Sequence, residues 1–151
     1  MTQSLTTLLQ HAEGERDQAL AALRRAEEHA KRAQAQAEQL QSYRSDYQRR
    51  WSAQFSRQGT MDIVHCYQNF TQRLDEALAQ QAQQSEVAEA TAQRLRQALL
   101  AAEMRVASVR KLMERRQAEQ RRAQDRSEQR QTDETAQQIR WQATRAEPAQ
   151  H

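Results

Sequence analysis

Apolar residues recur at alternating steps of four and three along the first third of this 151-residue chain. Only Arg16 and Arg44 interrupt the pattern, which runs through Leu5, Leu9, Ala12, Arg16, Ala19, Leu23, Ala26, Ala30, Ala33, Ala37, Leu40, Arg44, Tyr47 and Trp51. A heptad repeat sustained this long predicts a helix that buries one narrow seam against another helix, as in a coiled coil.

The first seam ends in the stretch FSRQGTMDI, around Gly59. Glycine accepts the left-handed conformation with which many helices end, and Thr60 or Asp62 could cap a following helix. A second seam then runs through Val64, Tyr67, Thr71, Leu74, Leu78, Gln81, Ser85, Ala88, Ala92, Leu95, Leu99, Ala102, Val106, Val109 and Met113. Two heptad helices joined by a short turn predict an antiparallel hairpin.

The predicted fold is therefore all-α, a long antiparallel two-helix coiled coil with its turn near Gly59. We expect one elongated domain over residues 1–147, with helix one at about 3–57, helix two at about 61–143, and paired residue numbers that sum to about 118. Residues 114–151 form an overhang and polar tail ending near Pro148, either helical alone or disordered until bound.

Composition excludes a globular enzyme. Only 37% of the residues are apolar, and the mean hydropathy of −1.13 leaves too little apolar area to fill a compact core. Two glycines cannot build a phosphate-binding loop, and His65 with Cys66 lacks a second ligand pair at metal spacing. The sequence predicts no catalytic residue, no cofactor, no metal and no small-molecule substrate.

Cys66 is the single cysteine, which suits a reducing compartment, and no signal peptide or membrane-spanning stretch is recognisable. We therefore expect a cytoplasmic protein. From Arg110 to Arg145 there are ten Lys or Arg and six Asp or Glu. This excess could attract nucleic acid or anionic lipid weakly, but the interleaved acids favour a protein partner.

Six of the seven aromatic residues lie between Tyr43 and Phe70. Tyr43, Tyr47, Trp51 and Phe55 are spaced four apart and form a stripe near the turn. Large residues could close the hairpin tip, where an alanine seam would be weak. Two helices cannot cover all of this area, so part of it could also be a docking patch. Both interpretations can hold together.

Three segments resemble one protein family. LQSYRSDYQRRW at 40–51 and YQNFTQRLDEAL at 67–78, on either side of the turn, resemble FliJ, the small component of the flagellar type III export apparatus. EQRQTDETAQQ at 128–138 resembles the family's C-terminal pattern at Arg130, Asp133, Glu134 and Ala136. Gln131 and Thr135 depart from that pattern.

The resemblance implies a stalk-like coiled coil that binds the flagellar export ATPase ring and its regulator, the cytoplasmic domain of the export gate protein FlhA, and export chaperones. It implies a location in the cytoplasm, peripheral to the inner membrane at the flagellar base. The family's gate-facing residues fall on the set we call the gate surface: Gln36, Leu40, Tyr43, Tyr47, Phe70, Leu74, Ala77 and Gln81. Residues towards the ATPase ring, here called the ring-end set, would be Leu5, Leu8, Leu9, Arg130, Asp133 and Glu134.

Two alternatives share this architecture. One is the equivalent stalk protein of a virulence type III secretion system. The other is a generic scaffold coiled coil that self-associates through its alanine seams. Tyrosines at the tip favour the flagellar interpretation.

Overall fold

The structure, a computed structural model, describes residues 2–57 and 59–146, which form two helices and the turn region between them. Helix α1 spans Thr2–Phe55 and helix α2 spans Met61–Ala146. The two helices pack against each other along the length of α1. The described residues include no strand. The all-α helical hairpin predicted from the heptads is confirmed.

Helix propensity explains how helices of 54 and 86 residues persist with so little apolar surface. Ala, Gln, Glu, Arg and Leu dominate both helices, and these residues lose little conformational freedom on becoming helical. Pairs one turn apart add small increments, as between Arg32 and Glu28 at 2.7 Å. Proline is absent from both helices, and Gly14, the one glycine within them, lies on the exposed surface of α1.

The turn differs from the expectation at Gly59. No glycine in the described residues has a positive φ, so the left-handed helix end predicted there is wrong. A Cβ at position 59 would lie 3.4 Å from the carbonyl oxygen of Phe55, an ordinary contact. The chain instead leaves α1 through a hydrogen bond from Arg57 N to Gln54 O at 3.0 Å. A turn closed by such a hydrogen bond needs no residue with a positive φ.

Thr60 occupies the N-cap position of α2. The first hydrogen bond of the helix runs from Val64 N to Thr60 O at 3.2 Å, as expected of an N-cap residue. Asp62 lies in the first turn, where its negative charge interacts favourably with the helix dipole.

Both seams lie where the heptads place them. None of the predicted seam residues of either helix is exposed. The most buried include Leu5, Ala12, Leu23 and Ala33 of α1 and Leu74, Ala88, Ala92, Ala102 and Val106 of α2. Ala92 is 0% exposed, so the helices approach closely in the middle of the rod.

Cross-helix contacts fix the register. Trp51 packs against Tyr67, and Arg105 pairs with Glu15 at 2.9 Å. The residue numbers of these pairs sum to 118 and 120, close to the predicted 118. Side chains beyond Arg116 are exposed throughout, and α2 continues as a single helix to Ala146. The predicted polar tail beyond 146, with Pro148, lies outside the described residues.

Candidate partner-binding surfaces

Tyr47 lies at the centre of an aromatic cluster near the turn. Its ring centroid is 4.4 Å from that of Phe70, 5.9 Å from Tyr67 and 5.7 Å from Trp51. Phe55 closes the cluster with an edge-on contact to Tyr67 at 5.2 Å. Offset and tilted rings at these distances attract each other beyond their burial of area. The closing role predicted for the aromatic window therefore has a physical basis.

Part of the cluster remains on the surface. Tyr43 stacks on Tyr47 at 6.3 Å and is 51% exposed, and Phe70 is 37% exposed. Both precede a seam position by one residue, which is why they flank the seam as expected. The structure thus brings Tyr43, Tyr47 and Phe70 of the gate surface into one partly exposed group. Their role in binding stays a prediction.

The remaining gate-surface residues differ in accessibility. Leu74 is 7% exposed and packs in the seam, so it supports the surface from beneath. Leu40 and Ala77 are half-buried. A partner would therefore contact the aromatic rings first and the aliphatic side chains only at their edges.

A polar contact joins the other end of the gate surface. The Gln81 side-chain amide lies in the seam and donates to the backbone carbonyl of Ala33 and to the side-chain oxygen of Gln36, both at 3.2 Å. A half-buried amide without partners would be costly, so these bonds let a polar residue occupy a seam position. They also hold the two helices in register next to the predicted surface.

Arg44 interrupts the first seam and pairs across it. Its guanidinium bonds the carboxylate of Asp75, with Nε donating to Oδ1 at 2.5 Å, and this hydrogen bond raises the pKa of Arg44 above its ordinary value. The aliphatic part of Arg44 can cover the seam while its charge reaches Asp75. The interruption in the heptad is therefore a cross-helix ion pair.

The two sides of the seam differ in chemistry. Seam positions alternate between those reached by a step of four and those reached by a step of three. In an antiparallel pair, residues that precede a position of the first kind lie on one side of the seam in both helices. Residues that follow a position of the second kind lie on the opposite side. The first side near the tip, the aromatic flank, consists of Gln36, Tyr43, Phe70 and Ala77. The opposite side, the charged flank, carries Glu13, Glu27, Asp75, Arg96 and Arg110.

Ion pairs across the charged flank connect the helices. Arg110 lies 3.3 Å from Glu13, and Arg96 lies 3.3 Å from Glu27. Hydrogen bonds to Glu89 first, and to Glu27, raise the pKa of Arg96. These charged residues are not among the site residues predicted from the sequence. Their heptad positions, one residue after a seam position, are the signal that would have placed them on one side of the seam.

The ring-end set is not brought together. Leu5 is 7% exposed and Leu9 is half-buried, so of the three leucines only Leu8, at 46%, offers an exposed surface. Arg130, Asp133 and Glu134 are exposed on the overhang. Since Met113 faces the start of α1, Arg130 lies about 25 Å further along the axis. A partner that contacts both parts must extend along the rod.

Within residues 2–57 and 59–146, no cluster of three or more His, Cys, Asp or Glu is arranged to hold a metal ion. Neither helix, over its described length, has a segment apolar enough to cross a membrane. Cys66 is a free, exposed thiol near the tip. Removal from water, together with neighbouring groups, raises the pKa of Tyr47.

One protein family has a sequence pattern that this chain shares over nearly its whole length. Neither the curated proteins nor the solved structures match this chain. The sequence model of the family described as Flagellar FliJ protein matches residues 1–145, which is nearly the whole chain. The match includes both helices, the aromatic tip and almost all of the overhang. This chain belongs to the FliJ family of flagellar proteins.

Proposed function

We propose that this protein is a stalk-like coupling component of the flagellar type III export apparatus. Its terminal end binds the export ATPase ring and the regulator of that ATPase, and its tip binds the cytoplasmic domain of the export gate protein FlhA. It also escorts export chaperones. The protein catalyses no reaction of its own and joins the flagellar base at the inner membrane through these partners.

The family match over residues 1–145 supports the flagellar export role. One observation supports the division of labour along the rod. At the tip, the exposed rings of Tyr43 and Phe70 flank a two-helix seam, whereas the far end is a single, unpaired helix whose exposed Trp141 lies beneath Arg145 among polar and charged residues. Exposed aromatic rings on a rigid scaffold are typical of protein interfaces.

The test measures binding of two purified partners to the immobilised full-length chain. The gate variant carries Tyr43→Ala and Phe70→Ala, because these two rings are exposed and their loss spares the seam. We expect its affinity for the gate's cytoplasmic domain to fall about tenfold or more, as for truncated hot-spot residues. Its affinity for the export ATPase should not change.

A matched control removes similar apolar area elsewhere. Leu100→Ala with Met104→Ala truncates two residues that are 59% and 65% exposed on α2, away from the tip. This control should bind both partners like the wild type, and circular dichroism should show all variants equally helical. If neither partner binds a helical wild-type chain, the coupling function is refuted. Self-association without partner binding would instead indicate a scaffold.

A further inference from the structure

Four arginines in the paired part of the rod bond carboxylates of the opposite helix. Arg44 bonds Asp75, Arg96 bonds Glu27 and Glu89, and Arg105 and Arg110 bond Glu15 and Glu13. In three of these four pairs, α2 supplies the guanidinium and α1 supplies the carboxylate. Where α1 lies beside α2, it can therefore neutralise guanidinium groups of α2.

Towards its C-terminal end, α2 carries further basic residues but extends beyond α1, so no second helix of the described residues lies beside most of them. Six basic residues, here called the basic stripe, follow α2 at helical intervals: Lys111, Arg115, Arg122, Arg126, Arg130 and Arg140. None of the six forms an ion pair within the described residues. Arg126 donates instead to the backbone carbonyl of Arg122 at 3.3 Å.

These basic residues share one side of the helix. At about 100° per residue, all six fall within about a third of the circumference, along about 44 Å of axis. Two acidic residues, Glu119 and Asp133, lie on the same side. The other four acids of this segment lie about a quarter of a turn or more from the centre of the stripe, and four other basic residues balance them. The positive excess of the overhang therefore lies on the side of the basic stripe.

We infer that the basic stripe is a docking surface for an acidic helix of a partner protein. The inference deepens the proposed function and rests on it for the identity of that partner, the export ATPase at the terminal end. Six unpaired cations on a helix that has no apolar seam leave electrostatic complementarity as the main source of recognition. The partner must supply the carboxylates that α1 supplies in the paired region.

A helix fits this stripe better than a nucleic acid does. Between Lys111 and Arg130, the basic residues are spaced four or seven apart, which matches carboxylates repeated on one face of a second helix. Glu119 and Asp133 interrupt the stripe and would repel a continuous row of phosphates, whereas an acidic helix can place uncharged or basic residues opposite them. Single-stranded bases stack on a series of free rings, whereas this segment has a single aromatic residue, Trp141, whose ring already lies 4.1 Å from the Arg145 guanidinium.

The test uses the full chain and three labelled probes in fluorescence anisotropy. The probes are a synthetic helical peptide with Glu on one face, the same peptide with Gln at those positions, and single-stranded DNA of equal charge to the Glu peptide. Export ATPase binding is measured in parallel. The stripe variant carries Arg115→Gln, Arg122→Gln, Arg126→Gln and Arg130→Gln. The control carries Arg24→Gln, Arg25→Gln, Arg94→Gln and Arg121→Gln, which removes the same charge from other exposed positions.

We expect the Glu peptide to bind wild type and control, at least tenfold more tightly than the Gln peptide or the DNA, and to weaken with added salt. The stripe variant should lose about tenfold in affinity for this peptide and for the ATPase. Equal binding of the Glu peptide to stripe variant and wild type, or tighter binding of DNA, would overturn the inference. Peptide binding without ATPase binding would support the stripe and refute the proposed ring partner.

Discussion

The hairpin tip and the middle of the rod belong to the same seam, but the tip is built from large aromatic residues and the middle from alanines. At the tip, Tyr47, Trp51 and Tyr67 occupy seam positions and are only half-buried. In the middle, Ala30, Ala33, Ala88 and Ala92 occupy them and are at most 8% exposed. The tip therefore has large side chains that remain partly open to water, whereas the middle has small side chains that are fully covered.

This difference shows that the buried fraction of a side chain does not by itself determine how much the side chain stabilises the fold. A buried alanine removes little apolar area from water, so the middle depends on helix propensity and close approach. The aromatic residues at the tip remove much more area and still leave some uncovered. The tip can thus both lock the hairpin and offer a surface to a partner, while the middle serves as a spacer.

The largest effect should follow removal of the central ring at the tip. Tyr47→Ala deletes the side chain that contacts Tyr43, Trp51, Tyr67 and Phe70. We expect the free energy of unfolding to fall by about 2–3 kcal/mol, somewhat less than for a fully buried aromatic residue. Urea denaturation followed by circular dichroism measures this loss.

Tyr43→Ala is the matched control for the tip, because Tyr43 contacts only Tyr47 among the rings and is 51% exposed. Its cost should stay below about 1 kcal/mol. Equal losses for both variants would show that the cluster does not centre on Tyr47.

The next largest effect should follow enlargement of the alanine seam. Ala92→Leu adds three carbons at a position that is 0% exposed, so the helices must move apart. Overpacking of this kind costs about 1–3 kcal/mol. Ala90→Leu, on the exposed side of the same turn, controls for helix propensity and should be neutral. Stabilisation by Ala92→Leu would mean that the middle has unfilled space, contrary to the close approach described above.

The fold was predictable because the heptad carries most of its information. Two seams and one break fix the helix number, the antiparallel direction and the register, and Arg105 with Glu15 lies within two residue numbers of the expected sum. Gly59 was misjudged because a glycine after a helix suggests a left-handed residue, while backbone hydrogen bonding alone ends α1 here. Local hydrogen-bond geometry does not follow from residue identity.

The surfaces were only partly predictable. The flanking positions of Tyr43 and Phe70 follow from the sequence, since their offset from the seam can be counted. The burial of Leu5 and Leu74 follows from the same count, yet both were assigned to partner surfaces through the family resemblance. The basic stripe was hidden because net charge sums over all sides of a helix, whereas recognition depends on one side.

A smaller effect on stability should follow the removal of a buried polar atom beneath the tip. The hydroxyl oxygen of Thr71 is buried and has no hydrogen-bond partner within the described residues. Thr71→Val replaces this hydroxyl by a methyl group of similar size, so the cost of an unsatisfied polar atom disappears. We expect a gain of about 1 kcal/mol in the free energy of unfolding, measured by urea denaturation.

Ser85 provides a comparison for Thr71, because it is another small polar residue at a seam position but lies in the middle of the rod. Ser85→Ala should change stability less, since that hydroxyl is not among the buried, unpartnered atoms. A loss of stability in Thr71→Val would indicate that the hydroxyl has a partner, such as an ordered water molecule, under the aromatic cluster.

The smallest effect is a dependence on alkaline pH confined to the tip. Removal from water raises the pKa of Tyr47 above the value of 10.0 that it has in an unfolded chain. The folded protein therefore holds this proton more tightly than the unfolded protein does. The resulting stabilisation is fully present below pH 10 and is lost as the pH rises through the folded pKa.

Tyr47→Phe should unfold with a shallower dependence on pH above 10 than wild type, whereas Tyr43→Phe, which keeps Tyr47, should retain the wild-type slope. If both variants follow the wild type, the pKa of Tyr47 is the same in the folded protein as in an unfolded chain. The tip would then be more open than its ring contacts indicate, and the contrast with the closed alanine middle would become sharper.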